Sequence, residues 1–356
     1  MSRKITLILL PLALLVVLLA IFVLRVPSEL LVRLEPVSVP APDFGSQLVV
    51  VAPDERIFTL FAALNAAGYD REYEGIPMTS VRQKVREALA LKDLPSLKRL
   101  RPIFDRVSEY HLVVWILQRG NGPEFGRVEP DWWVTTRAAD FDGLPEALND
   151  FYIEADIPEL WRMVEPEFCL EIERWKPMAE ASMNNIWEYL GVSQFPFRQL
   201  VIIPNLLTSY YDGYGPQIGN TAYVIAGPTE TERSLSGLIE HEALHSIIGP
   251  MLDRNKNVVS DDQAKRLFAV LKKTMPSGYG SWEGALEETL IRVINLRMVK
   301  EEQLRARMLS QLEDQGFLLI YPMNEALSDY EQSGYTFERY LPKLLGTLNT
   351  VQITPK

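Results

Sequence analysis

The run Leu235 to Gly249, LSGLIEHEALHSIIG, constrains this chain more than any other stretch, because it gathers His241, Glu242 and His245 into one pentapeptide. On an α-helix, side chains at i and i+4 project from one face, so both imidazoles can hold a single Zn²⁺ while Glu242 reaches water beside it. The plainer alternative is an amphipathic helix. In that case Leu235, Leu238, Ile239 and Leu244 pack inward and the two histidines are ordinary polar residues. A catalytic zinc takes three protein ligands plus water, so the rest of the chain must supply a third.

The candidates are few. The chain has three histidines, and the remaining one, His111, lies far upstream. A third histidine at short spacing, as in the metzincins, is therefore absent, and Gly249 falls one position late for that pattern. Glu242 and His245 also form half of a di-iron carboxylate motif, but Ser108 stands where the second half needs a glutamate before His111. No glutamate occurs between His245 and Trp282, so Asp253, Asp261 and Asp262 are the near acids, followed by Glu283, Glu287 and Glu288.

The three glutamates belong to SWEGALEETLIRVINLRM, a helical pattern with Trp282, Leu286, Leu290, Val293 and Ile294 on one broad apolar face. Glu288 falls on a flank with Gly284, Ala285, Arg292 and Asn295, where small residues admit a neighbouring helix and polar ones can support a ligand. Glu287 lies nearer the apolar face, beside Ile291 and Ile294. A carboxylate buried there needs a cation or a donor, so both glutamates stay open as the third ligand.

HEALH with a glutamate on a later helix resembles the gluzincin zinc peptidases. The fuller pair LIEHEALHSIIGP and EETLIR, with the upstream APDERIFTLFAALNAAGYDREY, resembles a family of uncharacterised bacterial proteins that join HExxH-x-x-x-x-P to a later N-E-x-L-[VI]-R helix. The resemblance implies a zincin-like catalytic domain with Zn²⁺ on His241, His245 and Glu288. Glu287 stands where asparagine is usual in that family and remains the alternative ligand.

With zinc so held, Glu242 is the expected general base, and one further donor is expected at the carbonyl oxygen. Tyr335, Tyr210, Tyr211, Tyr214 and Arg292 are the candidates for it. The strand Thr221 to Gly227, TAYVIAG, is expected to offer its edge to an extended peptide, as the gluzincin resemblance implies. The leading expectation is a membrane-anchored, extracytoplasmic zinc metallopeptidase acting on peptide or protein substrates. A non-catalytic anchored binding module is the alternative, although a protein that only binds has no need of Glu242.

The remaining features bound the setting. A formal net charge of −11 argues against a nucleic-acid partner, and an apolar fraction of 47% is ample for a sizeable core. The single cysteine, Cys169, excludes an intrachain disulfide and reads as a buried structural thiol. Ile5 to Leu24 is uncharged and almost wholly apolar, about long enough to cross the ~30 Å hydrocarbon layer of a membrane. Arg3 and Lys4 before it keep the N-terminus cytoplasmic, which puts the rest in the periplasm or at the cell surface. A cleaved signal peptide is the rival, giving a secreted protein, and a lipoprotein is excluded because no cysteine lies near.

The expected organisation is an anchor over residues 1–26, a linker over 27–46 with Pro36, Pro40 and Pro42, a helical region over 47–198 and a zincin-like domain over 199–350. Strands are expected at Leu48 to Val51, LVIIPN and TAYVIAG. Helices are expected at ERIFTLFAALNAA, ended by Gly68, and at MTSVRQKVREALALK, with its Arg and Lys residues solvated. Asp156 to Leu190 reads as helix with Trp161, Trp175 and Trp187 as anchors, and Gly249-Pro250 is expected to stop the motif helix. The fold class is α+β, predominantly helical, with a small sheet beside the motif helix.

Overall fold

Alternation along two strands divides the molecule into layers. In the computed structural model, which describes residues 48–70, 75–126, 137–276 and 280–353, β1 (Val49–Val51), β2 (Gln199–Pro204) and β5 (Thr221–Ala226) run parallel. The short strands β3 (Gly213–Tyr214) and β4 (Gln217–Ile218) pair antiparallel with β5, completing a five-stranded sheet. Successive strand residues face opposite sides. Leu200, Ile202, Ala222, Val224 and Ala226 accordingly enter one apolar cluster, whereas Ile203 and Ile225 enter the other.

One layer holds the N-terminal helices: α1 (Glu55–Ala67), α2 (Ser80–Ala90), α3 (Leu97–Phe104), α4 (Glu109–Leu117) and α5 (Leu144–Glu154). Asp54 caps α1 by accepting from Arg56 and Ile57, and Gly68 ends it at φ 109°, a left-handed value that suits glycine. The opposite layer holds α7 (Glu232–Asn255), α8 (Asp261–Thr274), α9 (Trp282–Met298), α11 (Ile320–Ser333) and α12 (Phe337–Thr347), with α10 (Glu302–Asp314) at its margin. Between them α6 (Ile157–Leu190) runs unbroken for 34 residues. Its first half, with Leu160, Val164 and Phe168, joins the N-terminal cluster, and its second half, from Ile172 to Leu190, joins the other.

The chain is mostly helical with a small sheet, an α+β fold. The boundary expected between 198 and 199 is crossed by the sheet itself, since β1 pairs with β2, and all the described residues fall within one compact unit. The expected anchor and linker lie outside the described residues. Among the described residues no helix is long and apolar enough to cross a membrane.

Three local expectations are corrected. Arg82 on α2 is buried, its Nε donating to Asn65 Oδ1 at 2.8 Å and its Nη2 to the Tyr69 carbonyl at 3.1 Å. It shares the inner face of α2 with Val81, Val85 and Leu89, and these acceptors let a guanidinium stay there. Cys169 is exposed, because α6 buries Phe168 and turns the next position outward. Gly249-Pro250 does not stop α7, which continues to Asn255 with Met251 and Leu252 packed into the core. Trp175 and Trp187 are buried as expected, while Trp161 packs partly buried on the N-terminal cluster.

Candidate metal centre

Thr231 caps α7, its hydroxyl accepting from the Ser234 N–H, and the helix then packs along β5, α6 and α9. Leu235, Ile239, Ala243 and Leu244 fill the interior, so the strip carrying His241, Glu242 and His245 faces α9 and a cavity of about 1520 Å³. That volume exceeds the ~300–1,000 Å³ of small-ligand pockets and leaves room for a longer ligand. Ser281 caps α9 by accepting from Gly284, and Ala285 and Gly284 keep its near flank small.

Glu288 projects from α9 toward both imidazoles. Its Oε1 lies 3.4 Å from His241 Nε2 and its Oε2 lies 3.7 Å from His245 Nε2. Tetrahedral zinc with bonds of ~2.0–2.2 Å holds its ligand atoms roughly 3.3–3.6 Å apart, so this trio fits a small divalent cation with little adjustment. Among the described residues, it is the His, Cys, Asp and Glu group placed to hold a metal ion. Asp253, Asp261 and Asp262 are not part of it.

Glu287 has a different place from the one its apolar neighbours suggested. Its Oε1 meets His245 Nδ1 at 2.9 Å, on the side of the ring away from Glu288. A hydrogen bond there fixes the ring and leaves Nε2 as the free lone pair. Gly249, one turn after His245, makes the room: a Cβ on it would stand 3.3 Å from Glu287 Oε1.

The electrostatics suit metal ligation. Burial holds the His241 pKa down to about 3, against the opposing pull of Glu288, so its imidazole is neutral. Burial also lowers the His245 pKa, but the Glu287 hydrogen bond and the charges of Glu242, Glu287 and Glu288 outweigh it and leave a net rise. Glu242 is 7% exposed, and burial pushes its carboxyl up to about 7, near the proton affinity of a general base at neutral pH.

The sheet edge closes over Glu242. Asp212 accepts from the Gly227 N–H at 2.7 Å and Pro216 from the Tyr223 N–H at 2.8 Å, in the register that pairs Tyr214 with Ile225. The segment 212–218 thus runs antiparallel to β5 in a single register, as β3 and β4 separated where Pro216 lacks an N–H. Asp212 and Pro216 turn their carbonyls to β5, and Gly213, Gly215 and Gln217 hold the alternate positions, whose peptide groups face away from β5, and line the cavity. The outer edge expected of Thr221–Gly227 is therefore covered. A Cβ on Gly213 would stand 2.6 Å from Glu242 Oε1, and one on Gly215 would stand 2.2 Å from the Glu242 carbonyl oxygen.

Of the expected oxyanion donors, Tyr211, Tyr214 and Arg292 line the cavity and Tyr210 and Tyr335 do not. Tyr335 is exposed before α12 with Arg339 stacked on its ring, and it does not line the cavity. Tyr210 is also outside the lining, and Tyr211 donates to Glu230 at 2.8 Å. Tyr214 donates to Asp212 at 2.8 Å. Arg292 pairs with Glu288 at 2.6 Å and stacks over Phe317. Sequence reasoning passed over Tyr110, which reaches the cavity from α4, and Glu240, held by Asn185 of α6 at 3.0 Å.

Residues 134–346, more than half of the chain, match the family described as domain of unknown function DUF4932. The chain belongs to the DUF4932 family. The DUF4932 stretch contains α7, α9 and the edge strand, so the whole His241, His245 and Glu288 trio lies within it. No curated protein and no solved structure matches the chain.

Proposed function

We propose that this chain is a zinc-dependent peptidase of gluzincin type. The observation that carries the reading is the convergence of His241 Nε2, His245 Nε2 and the Glu288 carboxylate beside buried Glu242, under a sheet edge with outward peptide groups. A Zn²⁺ bound by the trio would supply Lewis acidity toward a carbonyl oxygen and toward water.

The chain's own residues supply the rest. Glu242, with its carboxyl near neutrality, takes a proton from the attacking water and returns it to the departing amine. Gly213, Gly215 and Gln217 offer backbone donors and acceptors to an extended peptide passing Glu242. Glu287 keeps His245 in the orientation that presents Nε2. The apolar run from Ile5 to Leu24 supports a placement of this chemistry on the outer side of a membrane, with the run as anchor.

Glu242→Gln tests the reading, because it keeps the shape and removes the base. Bound zinc measured by elemental analysis should be unchanged, and peptide hydrolysis should fall by about 10²–10⁴-fold. A variant that cleaves peptides at the parent rate would sink the assignment.

A further inference from the structure

A peptidase of this kind needs a hydrogen-bond donor where negative charge develops on the scissile carbonyl oxygen, and among the tyrosines and Arg292 that line the cavity all but one are already engaged. Among the tyrosines lining the cavity, Tyr211 and Tyr214 donate to Glu230 and Asp212. Arg292 is committed to Glu288 and to the face of Phe317. Tyr110 remains. Its hydroxyl has no hydrogen-bond partner among the described residues, and its ring opens onto the cavity that contains His241, Glu242, His245 and Glu288.

The residue is held by a rigid element. Ser108 sets the extended cap geometry before α4, and every position from Leu112 to Leu117 is buried, locking the helix against α1. Phe61 of α1 in turn packs its ring 6.0 Å from that of Tyr214 on the edge strand. Tyr110 sits in the first turn of α4, where none of this packing consumes its side chain. Desolvation in the cleft, then the charges of Glu287 and Glu242, push its pKa up to about 12, so the phenol keeps its proton at neutral pH.

We propose that Tyr110 is a catalytic residue, donating a hydrogen bond from its hydroxyl to the carbonyl oxygen of the scissile peptide as that oxygen becomes an oxyanion. The proton stays on the phenol throughout. The inference rests on the peptidase reading and extends it, because Tyr110 precedes the stretch 134–346 that matches the family. The site is then completed by a helix from the other layer of the molecule.

Tyr110→Phe removes one oxygen and leaves the ring. In the zinc-loaded full chain, kcat should fall by about 10²–10³-fold while KM stays within about threefold, with zinc content unchanged. Affinity for a phosphinic pseudopeptide, a tetrahedral mimic of the reacting carbon, should fall by a similar factor, and affinity for an uncleaved parent peptide should not. Parental kcat and parental phosphinate affinity in this variant overturn the role of Tyr110 and leave the peptidase reading standing. A wild-type chain that neither cleaves peptides nor binds the phosphinate overturns the peptidase reading and this assignment with it.

Discussion

Adjacent residues on a helix point about 100° apart, and Glu287 and Glu288 use that angle to serve opposite sides of one imidazole. Glu288 meets the Nε2 atoms and Glu287 meets His245 Nδ1. Glu288→Ala should therefore abolish zinc binding, whereas Glu287→Ala should keep the metal with affinity lowered about 10–100-fold. Competition with a chromogenic chelator reads both, and equal losses would refute the division of labour. At this scale the pentapeptide was fully legible, since helical geometry alone aligns its three groups. The two glutamates were not separable, because the apolar neighbours Ile291 and Ile294 placed Glu287 toward the core, while the actual partner, His245, comes from another helix. Tyr110 carries no local signal at all: an aromatic at the start of a helix is ordinary, and only the packing of α4 across the sheet brings it to the cavity.

Among the elements, the edge strand 212–218 lies against Glu242 and lines the cavity. Its glycines, in SYYDGYGPQIGN, answer to contact: Gly215 lies so near α7 that a Cβ would stand 2.2 Å from the Glu242 carbonyl oxygen. A backbone atom cannot swing aside as a side chain does. Gly215→Ala should force strand and helix apart, costing about 1–3 kcal/mol of stability, and should lower activity more than stability explains. Denaturant unfolding with parallel kinetics checks this; an unchanged midpoint would show the strand free to shift. The strands LVIIPN and TAYVIAG were readable from their apolar runs. That β3 and β4 cover β5 was not, because their short, glycine-bearing segments have no strand pattern of their own.

Over the whole molecule, the α+β class and the helices α1, α2, α6, α7 and α9 followed from apolar periodicity, with Gly68 ending α1, while the other described helices had no such reading. The division at 198 did not hold up as a physical separation, because pairing of β1 with β2 depends on contacts far apart in sequence. The single helix α6 has a consequence for how the protein comes apart. Its halves are anchored in different apolar clusters, so neither cluster can melt without freeing part of the other's wall. Unfolding should be one cooperative transition, with signals from Trp115 in one cluster and Trp175 in the other coinciding. On the zinc reading, Zn²⁺ held by the trio would add RT ln(1 + [Zn²⁺]/Kd) to that single equilibrium, so a chelator should lower both signals' midpoints together. Trp115, which packs in the N-terminal cluster and does not line the cavity, would then report occupancy of a site built on the other cluster.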